Sequence, residues 1–157
     1  MKPLLTISSV LVVCDGNHCR SPIAEALLRE RSGGSLVVRS AGLSALEGLP
    51  PAIEAQNLMA ELGIDISHFR GRQLTAGLAL AADLILVMEE RQKDACGQLV
   101  PSCLGRVFLL GHWRPAPERE IPDPFRRSEA FFRSALAQIS SSIGDWLPHL
   151  IPERRNT

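Results

Sequence analysis

The chain contains no tyrosine, so it cannot be regulated by phosphorylation of a tyrosine of its own. Neither sign of charge is in excess: seventeen lysines and arginines balance seventeen aspartates and glutamates. That balance excludes a global field able to gather nucleic acid or an anionic membrane, so recognition of an anion has to be local. No apolar run approaches the roughly 18 residues of a membrane span, because Asp83 interrupts the longest candidate, "LALAADLILVM". The opening "MKPLLTISSVLVV" has a lysine followed by apolar residues, like an export signal, with Cys14 where a lipid-bearing cysteine would sit. Pro3, Thr6, Ser8 and Ser9 break that run, however, and Val12-Val13 are not the small residues of a cleavage site. The four cysteines (14, 19, 96 and 103) form neither a CxxC pair nor a disulfide framework. A cytoplasmic protein with reduced thiols and no membrane insertion is expected.

At 157 residues and 45% hydrophobic, the sequence is expected to form one domain over 1–157 with a sizeable core. Four β-branched runs read as strands: 9–14, 36–42, 83–88 and 106–111. Their continuous apolarity suits strands covered on both faces. Helical patterns occupy 21–32, 51–63, 75–82 and 89–99, with a last one over 126–147. The alternation predicts a doubly wound α/β domain, with helices on both faces of the sheet. Ser21 is expected to cap the first helix with Pro22 at its first position; Gly33-Gly34 should end it and Gly63 should end the second. The proline-rich stretch 114–124 is the one long irregular segment, a length that in compact domains tends to carry function.

The stretch "VVCDGNHCRSP" (12–22) carries the chemistry. Cys14 closes the first strand, at the end where open α/β sheets hold their ligands. A sharp turn into a helix makes successive backbone N–H groups converge, and with the helix N-terminus behind them they form an anion site. Gly16 and Asn17 are residue types that tolerate left-handed conformations. Arg20 supplies a planar fork suited to a tetrahedral oxyanion. The same positive field favours the thiolate of Cys14, placing a nucleophile beneath a bound phosphate. Ser21 could donate to that thiolate when it leaves. A bare Cys-x5-Arg is more often a buried cysteine and a surface arginine; here the strand, turn residues and helix start accompany it.

The run Cys14-Asp15-Gly16-Asn17-His18-Cys19-Arg20-Ser21-Pro22 resembles the active-site loop of the low-molecular-weight protein-tyrosine phosphatases. The likeness spans nearly the whole chain, with "SAG" (40–42), "DLILVMEE" (83–90), "GHW" (111–113) and "IPDPFRRSEAF" (121–131) in the family's order. The "GHW…EIPDP" portion is similar to a bacterial subgroup that works beside capsule and exopolysaccharide synthesis. The resemblance implies a four-stranded parallel sheet and substrate contacts from Asp15, Gly16, Asn17, His18, Cys19 and Ser21. It also implies a reversible disulfide partner for Cys14 in Cys19, a role a plain buried cysteine would not need.

Expelling a phenolate from phosphorus calls for a proton donor over the cradle. Asp123, braced by Pro122 and Pro124, is the candidate, and Pro124 restricts it to extended conformations. The alternative is an aspartate capping the last helix. The expected cycle has two displacements through a phosphocysteine, with Arg20 and loop amides holding the equatorial oxygens. It uses no metal and no cofactor; Cys-x3-His-Cys also lacks the paired spacing of structural zinc sites.

Several positions depart from the family. A histidine usually stands three residues before the Arg-Gln pair; here Phe69 does, with His68 one residue earlier. Either His68 shifts in register or the network that orders Asn17 is rebuilt. His18 takes the variable position facing substrate, where relatives carry an aliphatic residue and arginine phosphatases a threonine. Leu46 and Phe125 fall where aromatic walls are usual, as pocket walls or as plain core residues.

A thioredoxin-coupled arsenate reductase uses the same cradle with two further cysteines, but Met88-Glu89 stand where its first extra cysteine belongs, and Pro22 favours the phosphatases. A protein-arginine phosphatase remains an alternative because of His18, and a non-enzymatic phosphate binder would lack one of Cys14, Arg20 and Asp123. The expected protein is a phosphotyrosine-protein phosphatase, monomeric or weakly dimeric. Its expected partner is an autophosphorylated bacterial tyrosine kinase controlling polymer export.

Overall fold

The computed structural model describes residues 6–151; residues 1–5 of the lysine-led opening stretch and 152–157 of the expected domain lie outside them. The β-branched runs form β1 (Ser9–Cys14), β2 (Val37–Gly42), β3 (Leu84–Val87) and β4 (Val107–Leu109). They pair in parallel in the order β2-β1-β3-β4. Five α-helices accompany them: α1 (Arg20–Ser32), α2 (Ile53–Glu61), α3 (Ala76–Ala81), α4 (Glu90–Leu99) and α5 (Glu129–Leu150). The doubly wound α/β architecture is as expected.

Side chains alternate across the strands, and so split the core in two. Val10, Val12, Leu84 and Leu86 face one side and pack with residues of α1, α2 and α5. Leu11, Val13, Ile85 and Val87 face the other, toward α3 and α4. β1 is buried from Val10 to Cys14, which is why it reads as an unbroken apolar run. The chain passes from β1 outward to β2 and then returns beyond β1 to β3. The order therefore reverses between β1 and β3, and ligands of open α/β sheets bind past the carboxyl ends of the strands at such a point.

Most boundaries shift by a residue or two from the sequence reading, and those of α1, the fourth strand and α5 have a clear local cause. Helix α1 begins one residue early, with Cys19 as its N-cap and no side-chain cap; Pro22 is thus its third residue, and the Ser21 hydroxyl is used elsewhere. The fourth strand shrinks to 107–109 because 101–106 wind into a 3-10 helix started by Pro101. Helix α5 begins at Glu129, not 126: Arg127 N–H closes a turn on the Pro124 carbonyl, Arg126 adopts φ 63°, and Ser128 Oγ accepts from Phe131 N–H as the cap. It continues through Pro148 to Leu150. Gly33 does end α1, in the left-handed conformation. On the outer edge of the sheet, Arg29 Nη2 donates to the Val38 carbonyl at 2.6 Å and to Glu25 Oε2.

Candidate active site

Residues 15–19 turn sharply between β1 and α1, and a second strap, 43–52, wraps them from outside. Leu43 N–H donates to the Cys14 carbonyl, Ser44 to Asp15, Leu46 to Gly16 and Ala52 to His18, at 2.8–3.0 Å. With those carbonyls drawn outward, planar trans peptides turn the following N–H groups toward the inside of the loop. This is the nest geometry expected of an anion cradle. The left-handed conformation falls on Asn17 (φ 52°) alone; Gly16 does not use one. Close approach demands glycine elsewhere. A Cβ on Gly42 would lie 2.6 Å from the Asp15 carbonyl oxygen, and one on Gly71 would lie 2.2 Å from that of Leu46.

Behind the cradle, Asn17 is 1% exposed. Its Nδ2 donates to Ser21 Oγ (2.7 Å) and Ser40 Oγ (3.0 Å), while Oδ1 accepts from Arg72 N–H (2.8 Å). Ser40 in turn donates to Glu25 Oε1. Ser40 and a backbone amide thus order Asn17 with no histidine in the network, and His68 is an exposed loop residue. Since Ser21 Oγ accepts from Asn17, its proton is free for the Cys14 sulfur 3.0 Å away. The side chains of Asn17 and Ser21 therefore brace the loop and the thiol and do not line the pocket, so that any contact of Asn17 with a substrate would fall to its backbone N–H.

The pocket itself, about 200 Å³, is lined by Cys14, Asp15, Gly16, His18, Cys19, Arg20, Ser44, Leu46, Asp123 and Phe125. Arg20, 1% exposed, donates from Nη1 to the Ile121 carbonyl (2.8 Å) and to Glu89 Oε2. Its Nη2 lies 3.4 Å from Asp15 Oδ2 and 3.7 Å from Asp123 Oδ2. Burial works against its charge, but Cys14, Glu89 and Asp123 prevail and hold the guanidinium above its ordinary range. Asp123 Oδ1 accepts from Phe125 N–H at 3.0 Å, a local turn that aims Oδ2 toward Arg20. Capping of α5 belongs to Ser128. Leu46 and Phe125 are 36% and 39% exposed, so they are walls, not core. His18 meets Phe125 edge-on at 5.3 Å. Burial holds its imidazole below the ordinary value, partly opposed by the Pro50 carbonyl and the charges of Glu54 and Asp123. Burial, with Asp123 and Cys14 adding, pushes the Cys19 thiol far up.

The family profile described as "Low molecular weight phosphotyrosine protein phosphatase" matches residues 9–156. The chain belongs to this family. Among relatives of this phosphatase, a probable low molecular weight protein-tyrosine-phosphatase, EpsP of Ralstonia solanacearum, is 45% identical over 144 residues, covering 92% of this chain and 97% of EpsP. The solved tyrosine phosphatase amsI of Erwinia amylovora superposes with a TM-score of 0.88 at 34% identity, over 93% of this chain and 95% of amsI. The YwlE arginine phosphatase of Geobacillus stearothermophilus gives 0.86 at 30% identity, over 95% and 96%.

The phosphatase site includes side chains that the sequence alone did not single out. Glu89, Arg91 and Gln92, just after β3, meet the catalytic loop: Arg91 donates twice to Asp15, at 3.0 and 2.5 Å, and Gln92 Nε2 donates at 3.0 Å. The Asp15 carboxylate faces these donors, while its backbone N–H belongs to the cradle. The other two cysteines are buried among α4 and the back-face strand residues, and Cys103 Sγ donates to the Cys96 carbonyl at 3.6 Å. Cys14 belongs to the opposite core cluster, so a sulfur relay from Cys14 to Cys96 or Cys103 has the sheet in its way. Among the described residues no helix is long and apolar enough to cross a membrane.

Proposed function

We propose that this chain, as one domain, removes phosphate from tyrosine side chains of proteins through a phosphocysteine. What carries the reading is convergence: Asp123 comes from a distant stretch of the chain to line one pocket with Cys14 and Arg20, with Leu46 and Phe125 as walls for a phenol ring. In the first displacement the Cys14 sulfur bonds to phosphorus as the ester P–O bond breaks, and Asp123 gives its proton to the departing phenolate oxygen. In the second, Asp123 takes a proton from water, the water oxygen bonds to phosphorus, and the S–P bond breaks. The thiolate returns to the Ser21 hydroxyl and phosphate leaves. Arg20 and the loop amides hold the non-bridging oxygens, which is preorganised electrostatic stabilisation. Every proton and electron pair is accounted for without metal or cofactor.

The expected substrate is an autophosphorylated tyrosine kinase of a capsule or exopolysaccharide system in the bacterial cytoplasm, with the enzyme monomeric or weakly dimeric. The "GHW" and "EIPDP" segments and the similarity to EpsP support this. A second reading, phosphoarginine hydrolysis, is favoured by the likeness to an arginine phosphatase and by the polar His18 in the wall.

The test follows phosphate release from a phosphotyrosine peptide and from a phosphoarginine peptide, with chelator present. Cys14→Ser, Arg20→Ala and Asp123→Ala are assayed alongside. Release from phosphotyrosine, abolished by the first two changes and strongly slowed by the third, is expected. A preference for phosphoarginine would replace the substrate assignment and direct attention to His18.

A further inference from the structure

Asp15 is a problem for a phosphate site. The residue lines the pocket and directly follows the nucleophile in sequence, and its carboxylate stands 3.4 Å from the guanidinium nitrogen Nη2 of Arg20. A free negative charge there would compete with phosphate for Arg20 and repel a dianion. Glu89 brings a second carboxylate to the same guanidinium. One residue neutralises both. Arg91 holds Asp15 with two parallel hydrogen bonds and reaches Glu89 Oε1 from Nε at 3.2 Å. Gln92 supplies a further donor to Asp15. Burial opposes ionisation of Asp15, but the hydrogen bonds from Arg91 and Gln92 prevail and keep it a carboxylate, so its charge has to be masked rather than removed.

We propose that Arg91 is a positioning residue that acts through Asp15: by pinning and neutralising that carboxylate it leaves Arg20 available to the phosphate group. Arg91 is 60% exposed and does not line the pocket, so it contacts no substrate atom itself. The proposal rests on the reading that the loop 14–20 cradles phosphate. The plain alternative is that the Asp15–Arg91 pair is a staple joining the loop to α4. The two make opposite predictions for Asp15, because a staple fails equally when either partner is removed, whereas a masked charge is harmless once the charge is gone.

Inorganic phosphate is the probe, with its inhibition constant and the KM and kcat for p-nitrophenyl phosphate read at low salt. Arg91→Ala should raise KM and the phosphate inhibition constant on the order of tenfold, with kcat changed much less, because the loss falls on anion binding. Arg91→Lys should keep most of the phosphate affinity. The deficit of Arg91→Ala should shrink as salt rises toward molar, where the screening length falls to about 3 Å. The deciding variants are Asp15→Asn, expected to bind phosphate at least as well as the unmodified protein, and Asp15→Asn/Arg91→Ala, expected to recover its affinity. A double variant as impaired as Arg91→Ala, or Asp15→Asn as impaired, would overturn the proposal in favour of the staple. If the unmodified protein bound no phosphate, the cradle reading itself would fail, an outcome distinct from phosphate binding that ignores Arg91.

Discussion

Cys14 and the pair Cys96 and Cys103 pack on opposite faces of one sheet and have opposite fates. Cys96 and Cys103 sit behind the sheet among Leu11, Val13 and Val107, and burial with the neighbouring sulfur pushes the Cys96 thiol up to about 11. Cys14 is as deeply buried, 2% exposed, yet it ends a strand, receives a serine hydroxyl and lies in a pocket with a guanidinium. Burial alone therefore does not separate an inert thiol from a reactive one; the polar groups aimed at it do.

The widest gap between Cys14 and the two thiols behind the sheet should appear on substitution. Cys14→Ser should lower kcat by about 10⁴-fold or more, because the intermediate is lost. Cys96→Ala and Cys103→Ala should leave kcat/KM unchanged and cost about 1–2 kcal/mol of stability through lost packing. Steady-state kinetics and denaturant titration check both. If Cys103→Ala abolished turnover, the comparison would collapse.

Next in size is Asp123→Asn, which keeps the turn on Phe125 N–H but cannot deliver a proton. Its kcat should fall about 10²–10³-fold for an aryl ester with a poor leaving group and less for a good one. Equal losses for both esters would remove the proton-donor role. Gly42→Ala comes third. Its Cβ would push against the backbone of Asp15 and Asn17, so a loss of about 1–3 kcal/mol in stability should come with lower activity. A variant as stable and active as the original would mean the cradle has more slack than the distances allow.

The smallest effect concerns His18. Because burial lowers its affinity for a proton in the folded protein, the unfolded chain binds that proton more readily. Stability from this source is complete above the ordinary value of 6.5 and declines as pH falls below it. His18→Val should flatten the decline below pH 6.5, read as thermal midpoint against pH; an unchanged slope would show that another group carries it.

The contrast also shows what a sequence discloses. The strands were legible because β1 and β3 are buried on both faces and so must be apolar at every position. Cys14, Arg20 and the turn between them were legible because cradle and helix start are contiguous. Ser21 was misplaced as a cap for a physical reason: serine before proline suits a helix N-terminus, but α1 starts at Arg20 and the hydroxyl turns inward to sulfur. Glu89, Arg91 and Gln92 were silent as site residues because what matters is their reach to a loop some seventy positions away in the chain. Charged residues at a helix start look like any solvated turn. Ser40 was noticed only as part of "SAG"; nothing local announces that it holds Asn17.

The outer strand β2 carries a 56% exposed valine, Val37, and an edge of this kind is a template onto which another chain can add. Arg29 occupies the Val38 carbonyl, placing a cation where an incoming strand would need an acceptor. The opposite border, β4, is only three residues long. Growth of the sheet from one molecule into the next is thus discouraged at both margins, which favours a phosphatase that stays dispersed at high concentration.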